Sequence, residues 1–234
     1  MQKRVLSFSL FMISLLSSQR TYAYDFELNG FYYNLNSYDL TVAVTYGEKL
    51  YEGDIVIPES ISYKGKTMEV VSIGNSAFKN CISLSSIKFG GSIKYIEEHA
   101  FEGCSNLSKL SIPSNITHLG NSSFYNCSNL KELTIEDSES PLRFGTNGEY
   151  SPSCAFNCKL NYLYYGRILG KPEWSRVYDL DNSELTTILI GNKVTSIVGL
   201  GGSKITQITI PASVKSIGEG TFKGCINLKR FYRI

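Results

Sequence analysis

"AFEGCSNLSKLSI", Ala100 to Ile112, is a phrase that the chain repeats. Close copies begin at Ala77 ("AFKNCISLSSIKF"), Ser123 ("SFYNCSNLKELTI") and Thr221 ("TFKGCINLKRFYR"). Phe78, Phe101 and Phe124 stand 23 residues apart, each followed three residues later by a cysteine, Cys81, Cys104 or Cys127. Leu84, Leu107 and Leu130 come next, then the alternating pairs Ile87/Phe89, Leu110/Ile112 and Leu133/Ile135. A unit this short cannot bury its apolar face alone, whereas a stack of such units can.

A fixed period in the low twenties with an L-x-x-L-x-L core predicts a leucine-rich-repeat solenoid. The expected form is a β-rich α/β horseshoe with a parallel sheet on its concave face. The Phe–Cys segments are expected as short helical turns on the convex face. The alternating apolar pair at the end of each phrase reads as a short strand. In "SIPSNITHLG" (Ser111 to Gly120) the chain turns at Pro113, which cannot donate to a sheet ladder, and Ile116 and Leu119 point back inward. Strands at 55–57, 87–89, 110–112, 133–135, 163–165, 188–190, 208–210 and 231–233 make eight rungs. The array spans 54–234, with irregular repeats at about 137–202. Within it, "SYKGKTMEV" (Ser62 to Val70) is expected to form a hairpin turning at Lys64-Gly65. Residues 24–53 differ: "FYYNL" and "LTVAVTY" are alternating, β-prone runs around a turn-like "NSYD", and are expected to form an N-terminal β-cap.

Residues 1–23 stand apart from the fold. Lys3 and Arg4 precede the apolar "VLSFSLFMISLL", which is too short to span a bilayer, and "TYA" ends in a small residue at Ala23. This is the pattern of a secretory signal peptide, cleaved after Ala23. Its loss removes Lys3, Arg4 and Arg20 and no acid, taking the formal net charge from +2 to −1. No basic run remains to bind nucleic acid, and no other apolar stretch is long enough for a membrane span. The chain reaches its last residues inside a strand, "FYRI", so an uncapped C-terminal edge is expected there, with self-association through it as one consequence.

The fullest copy, "IEEHAFEGCSNLSKLSIPSNITHLG" (Ile96 to Gly120), resembles the repeat of bacterial BspA-like leucine-rich-repeat surface proteins. Clear copies cover Ile73 to Ile135 and Ile205 to Leu228, and "LYYGR" (Leu163 to Arg167) resembles an interior irregular repeat of such arrays. The resemblance implies an exported, secreted or cell-surface protein of a host-associated bacterium. It further implies adhesion to host matrix or glycoprotein.

The residues that could carry chemistry point away from catalysis. Cys81, Cys104, Cys127 and Cys225 share one core slot, which suits a small buried thiol better than a disulfide or a metal ligand. Cys154 and Cys158 are off register, and a bridge between them stays open in an exported protein. His99 and His118 occupy different slots and read as surface residues. "GLGGSK" (Gly199 to Lys204) lacks phosphate-loop spacing and reads as a tight loop. No enzyme, cofactor or metal site is expected.

The informative surface is the strand face opposite the core, carried by Ser86 and Lys88, Lys109 and Ser111, Glu132 and Thr134, Tyr162 and Tyr164, Thr187 and Leu189, Gln207 and Thr209, and Arg230 and Tyr232. An open solenoid sheet is a binding surface, although the same alternation also describes a merely solvated face. The candidate ligand-binding residues are Tyr162, Tyr164, Lys88, Lys109, Glu132, Gln207, Arg230 and Tyr232. Tyr162 and Tyr164 stand out as aromatics where serine and lysine stand elsewhere, near Trp174 in "GKPEWSRVY". The reading is a protein-interaction or adhesion module binding through this face. The alternative is a structural or assembly protein that uses its C-terminal edge.

Overall fold

The structure, a computed structural model, describes residues 24–36, 38–145, 158–169 and 182–234. The expected signal segment, Cys154 and Trp174 lie outside the described residues.

Three antiparallel strands come first: β1 (Phe26–Leu28), β2 (Phe31–Asn36) and β3 (Thr41–Thr45). Asn29 and Gly30 join the first two with φ of 52° and 80°. Asn-Gly tolerates this double left-handed turn, whose twist matches that of the flanking strands. The first rung is β4 (Gly53–Val56). The hairpin β5 (Ser60–Tyr63) and β6 (Lys66–Ile73) follows, turning at Lys64-Gly65 with φ of 50° and 74°, as the sequence predicts.

The repeats then contribute strands in alternation, one longer and one of two residues. These are β7 (Leu84–Lys88) and β8 (Tyr95–Ile96), β9 (Lys109–Ile112) and β10 (His118–Leu119), β11 (Glu132–Ile135) and β12 (Arg143–Phe144). The chain continues with β13 (Tyr162–Tyr165), β14 (Thr187–Ile190) and β15 (Ser196–Ile197), β16 (Gln207–Ile210) and β17 (Ser216–Ile217), and β18 (Arg230–Arg233).

The longer strands, one for each expected rung, pair in parallel as β4–β7, β9–β11–β13–β14 and β16–β18. β7 adjoins β9 and β14 adjoins β16. The two-residue strands form a second ladder, in which β8, β10 and β12 extend from β6, which in turn pairs with β3. The N-terminal meander is thus hydrogen-bonded into the repeat array.

The register is set by burial. Leu110, Leu133, Leu163 and Ile188 align across four strands and are all buried, as are Ile116 and Leu119 after the proline corner. In the irregular repeat, Leu160, Leu163 and Tyr165 fill the inward slots that the sequence assigned to them. Phe78, Phe101 and Phe124 stack through the interior with centroid separations of 4.8 and 5.0 Å. One-residue slips would turn every one of these side chains to solvent.

The Phe–Cys wall corrects the expectation of helical turns. Phe78 N–H donates to Ala100 C=O and Asn80 N–H to Glu102 C=O, each at 2.7 Å; Phe101 and Gly103 repeat the pattern to Ser123 and Tyr125. Alternate amides therefore run to the next repeat, where a helix would turn them back along its own axis. The flanking slots are left-handed in every regular copy. Ser76, His99, Ser122 and Gly220 have φ of 57°, 55°, 54° and 68°; Asn80, Gly103, Asn126 and Gly224 have 60°, 75°, 59° and 78°. L-residues enter this region singly and not as helices, so the wall is a ladder of turns. The single described helix is a 3-10 turn, Asn182–Glu184. No helix among the described residues is long and apolar enough to cross a membrane.

The recurrent cysteine also has a polar role. Cys104 Sγ donates to Phe78 C=O at 3.1 Å, Cys127 Sγ to Phe101 C=O at 3.2 Å, and Cys225 Sγ to Leu200 C=O at 3.1 Å. A thiol is small and apolar enough for the core and still offers a weak donor. The last of these bonds shows that Leu200 occupies the phenylalanine slot in the "GLGG" repeat. Burial pushes the Cys81 thiol up to about 11 and that of Cys127 to about 12, and raises that of Cys104 as well. Because the thiolate is the reactive form, Cys81, Cys104 and Cys127 are expected to resist alkylation until the protein is denatured, with half-buried Cys225 labelling first. Intact mass after native and denatured alkylation checks this; rapid native labelling of the three would contradict their placement.

Candidate functional site

Alternation along each strand leaves two columns of side chains facing away from the core. Pairing aligns the first as Lys109, Glu132, Tyr162 and Thr187, and the second as Ser111, Thr134, Tyr164 and Leu189. The flanking pairs supply Asp54 with Ser86 and Val56 with Lys88 at one end, and Gln207 with Arg230 and Thr209 with Tyr232 at the other. All eight candidate residues therefore lie on this face. Four of them, Lys109, Glu132, Tyr162 and Tyr164, are brought onto one continuous ladder. Lys88 stands on the β4–β7 pair, and Gln207, Arg230 and Tyr232 on the β16–β18 pair.

The face changes character along its length. Ser86 Oγ donates to Asp54 at 2.6 Å, and Lys109 Nζ meets Glu132 Oε2 at 2.9 Å. Both are exposed polar pairs, and an exposed ion pair contributes about 0–1 kcal/mol. The middle is aromatic and apolar: Tyr162 and Tyr164 are half-buried, and Leu189 beside Tyr164 is 50% exposed.

Tyr164 has a partner that the sequence does not reveal. Its hydroxyl donates to Asp137 Oδ2 at 2.7 Å, which pushes its pKa up to about 12, because ionisation would place two negative charges together. Gly191 makes room for the pair. A Cβ there would stand 2.1 Å from Asp137 Oδ1 and 3.0 Å from the Tyr164 hydroxyl.

The same irregular repeat carries a buried cation. Arg167 is fully buried and donates through Nη1 to Ser114 C=O at 3.1 Å and through Nη2 to Pro113 C=O at 2.9 Å. Glu136 holds the same corner from the other side, accepting from Ser114 N–H and Ser111 Oγ, both at 3.2 Å. Burial lowers the Arg167 pKa, while the Glu136 carboxylate opposes that shift. The guanidinium thus pins the irregular repeat to the corner after β9. Arg167→Met is expected to cost about 1–3 kcal/mol by taking the side-chain donor from the Ser114 carbonyl and one of two donors from the Pro113 carbonyl, which also accepts from Ile116 N–H at 3.1 Å. Arg167→Lys should recover only part, since an ammonium does not fork. Denaturant midpoints of the two variants check this.

The remaining candidate chemistry is structural. His118 Nε2 pairs with the Gly145 carbonyl, which fixes the ring proton on that nitrogen. His99 Nδ1 lies 2.7 Å from Glu102, which also meets Lys79 at 2.9 Å. Among the described residues no group of three or more His, Cys, Asp or Glu converges as metal ligands do. Sequence reasoning passed over Asp137, Glu136 and Arg167. They follow strand ends, where charged residues are ordinarily solvated, and their partners lie 22 to 54 residues away.

Comparison with known proteins agrees with this architecture. The family model described as the BspA type leucine rich repeat region matches residues 55–168 and 200–232, in six copies. A leucine-rich repeat protein from Bacteroides ovatus superposes with a TM-score of 0.61 at 24% identity, over 89% of this chain and 53% of the other. A leucine rich cell surface protein from Faecalibacterium prausnitzii superposes with a TM-score of 0.55 at 24% identity, over 89% and 54%. The chain thus spans about half the length of these structures, and at such identity the likeness concerns the fold. Comparison with curated proteins returns no match.

Proposed function

The chain belongs to the BspA-type leucine-rich-repeat family, and from that premise we propose that it is an exported, surface-exposed binding module that adheres to a host protein or glycoprotein. In this reading residues 1–23 direct export and the N-terminal meander caps the array. The open sheet is the concave face that meets the ligand. The Faecalibacterium relative, described as a cell surface protein, supports the location.

The observation that carries the reading is the patch of Tyr162, Tyr164 and Leu189. It interrupts a polar face with apolar area, on a strand followed, two residues past its end, by Arg167, which is buried and bound to the corner after β9. Tyrosines offer a large apolar surface with a polar tip and lose little conformational freedom on contact, so they serve as anchors. Lys88, Lys109, Glu132, Gln207, Arg230 and Tyr232 form the polar surround that selects the partner.

The test is a binding screen of the chain against extracellular-matrix proteins and arrayed glycans. At least one binder is expected whose signal falls when the two tyrosines are replaced. Binders indifferent to that change would place the site elsewhere on the molecule.

A further inference from the structure

Carboxylates border the tyrosine patch. Residues 132–139, which form β11 and the corner after it, hold Glu132, Glu136, Asp137 and Glu139 and no lysine or arginine. Two of the four stand at the tyrosines. Register sets Glu132 directly beside Tyr162 on the neighbouring strand, and paired strands lie about 4.8 Å apart. Asp137 is exposed and accepts from the Tyr164 hydroxyl at 2.7 Å. A donated hydrogen bond favours the charged form of a carboxylate, so Asp137 keeps its negative charge beside the ring. Each ring thus has an anion at its side. Tyr162 and Tyr164 are two residues apart on one strand, which places the two ring–carboxylate pairs about 7 Å from each other.

The cations of this region leave most of that charge exposed. Lys109 meets Glu132 from the preceding rung at 2.9 Å, and Lys193 meets Glu139 at 2.7 Å and attracts Asp137 at longer range. Both lysines are exposed, and such pairs are easily exchanged for a better one. Arg167 is buried and spends two of its donors on main-chain carbonyls. Lys131 and Lys159 lie at the opposite ends of the strands, where Lys131 donates to the Lys159 carbonyl. An aromatic face attracts a cation through its quadrupole, and a carboxylate beside it adds a charge-assisted hydrogen bond. A guanidinium can use both at once, stacking on the ring and forking to the acid. A neutral sugar would use the rings and gain nothing from the charge.

We propose that the patch receives a basic segment of a protein partner, an extended stretch running along β13 with arginine or lysine at alternate positions. One cation lies over Tyr162 beside Glu132, and the next lies over Tyr164 beside Asp137. Same-side residues of an extended chain are about 7 Å apart, which is the spacing of the two sites. Leu189, next to Tyr164, covers the apolar stem of the second side chain. This rests on the tyrosine patch being the binding surface and names what that surface recognises.

Fluorescence anisotropy of three labelled hexapeptides on the full chain tests it: one alternating arginine with threonine, one with glutamine for arginine, and one with glutamate for arginine. The arginine peptide is expected to bind saturably and to weaken with added salt. The glutamine peptide should bind at least about tenfold more weakly, and the glutamate peptide more weakly still. Glu132→Gln combined with Asp137→Asn keeps shape and hydrogen-bonding oxygens while removing the charge, and should also weaken the arginine peptide at least about tenfold. Asp54→Asn with Glu59→Gln, acids on and beside β4, should change it by less than about twofold. Unchanged melting checks that the variants fold, and the peptide exchange leaves the protein untouched. An arginine peptide that binds no better than the glutamine peptide overturns the proposal. Equal losses from the two pairs of acid changes do the same, since they would mean diffuse attraction. A neutral glycan or protein whose binding needs the two tyrosines but ignores Glu132→Gln with Asp137→Asn also overturns it, while leaving the tyrosine patch as the site. Binding of the arginine peptide that ignores replacement of both tyrosines would overturn the patch and the proposal together.

Discussion

Phe101→Ala is expected to destabilise the protein by about 3–5 kcal/mol, the range for removing a buried aromatic from a core that cannot collapse around the gap. Phe101 is fully buried. Its ring lies between those of Phe78 and Phe124 at centroid distances of 4.8 and 5.0 Å, nearly parallel to both, with Phe89 edge-on at 6.0 Å. Removal therefore interrupts a stack that runs through three repeats. The wall backbone resists closing the cavity, because its amides are committed to the next repeat at a fixed spacing. Neighbouring repeats hold each other up, so the loss should spread as cooperative weakening of the central array. His99→Gly is the matched control. It changes a half-buried residue two positions away, whose ring meets Glu102, itself paired with Lys79, and places glycine at a φ of 55°, where its relatives include Gly220. A shift within about 0.5 kcal/mol is expected. Chemical denaturation of the two variants decides the matter: equal shifts would mean that the register of the core is wrong.

Tyr162→Ala combined with Tyr164→Ala is expected to weaken ligand binding about a thousandfold, or ~4 kcal/mol, if each anchor contributes about 2 kcal/mol and the two add. The two rings stand on one strand at the centre of the open face, the place where anchors of an interface concentrate. Both are half-buried and face away from the core, so melting should change little beyond the loss of the Tyr164–Asp137 hydrogen bond at 2.7 Å. Tyr164→Phe separates ring from hydroxyl: binding that survives it rests on the ring. Ser86→Ala with Ser111→Ala, on the same face, should be near neutral. A double-tyrosine variant that melts early would show that the rings support the fold, and one that binds normally would move the site off this patch.

What the sequence by itself determined is the repeat. The recurrence of Phe, Cys and an alternating apolar pair places eight strands and the Lys64-Gly65 hairpin, which stand in the structure, and the inward residues of the central rungs, which are buried, whereas Phe231 and Arg233 in the last strand are exposed. The reason is that burial in a stacked array is periodic, and periodicity is legible one residue at a time. The two columns of the open face follow from the same alternation, which is why every candidate residue falls on them. Apolar spacing, however, does not say where main-chain amides go. The Phe–Cys wall has helix-like spacing of buried residues, yet Phe78 and Asn80 donate sideways to Ala100 and Glu102, so the wall is a ladder of turns. That choice depends on a neighbouring repeat already lying alongside. The same holds for Arg167, a charged residue at a strand end whose full burial requires carbonyls 53 and 54 positions earlier in the chain. It holds also for Tyr164, whose acceptor Asp137 arrives from the preceding rung across the space left by Gly191. Polar contacts over such distances exist only once the stack has formed, and only the tertiary structure decided them.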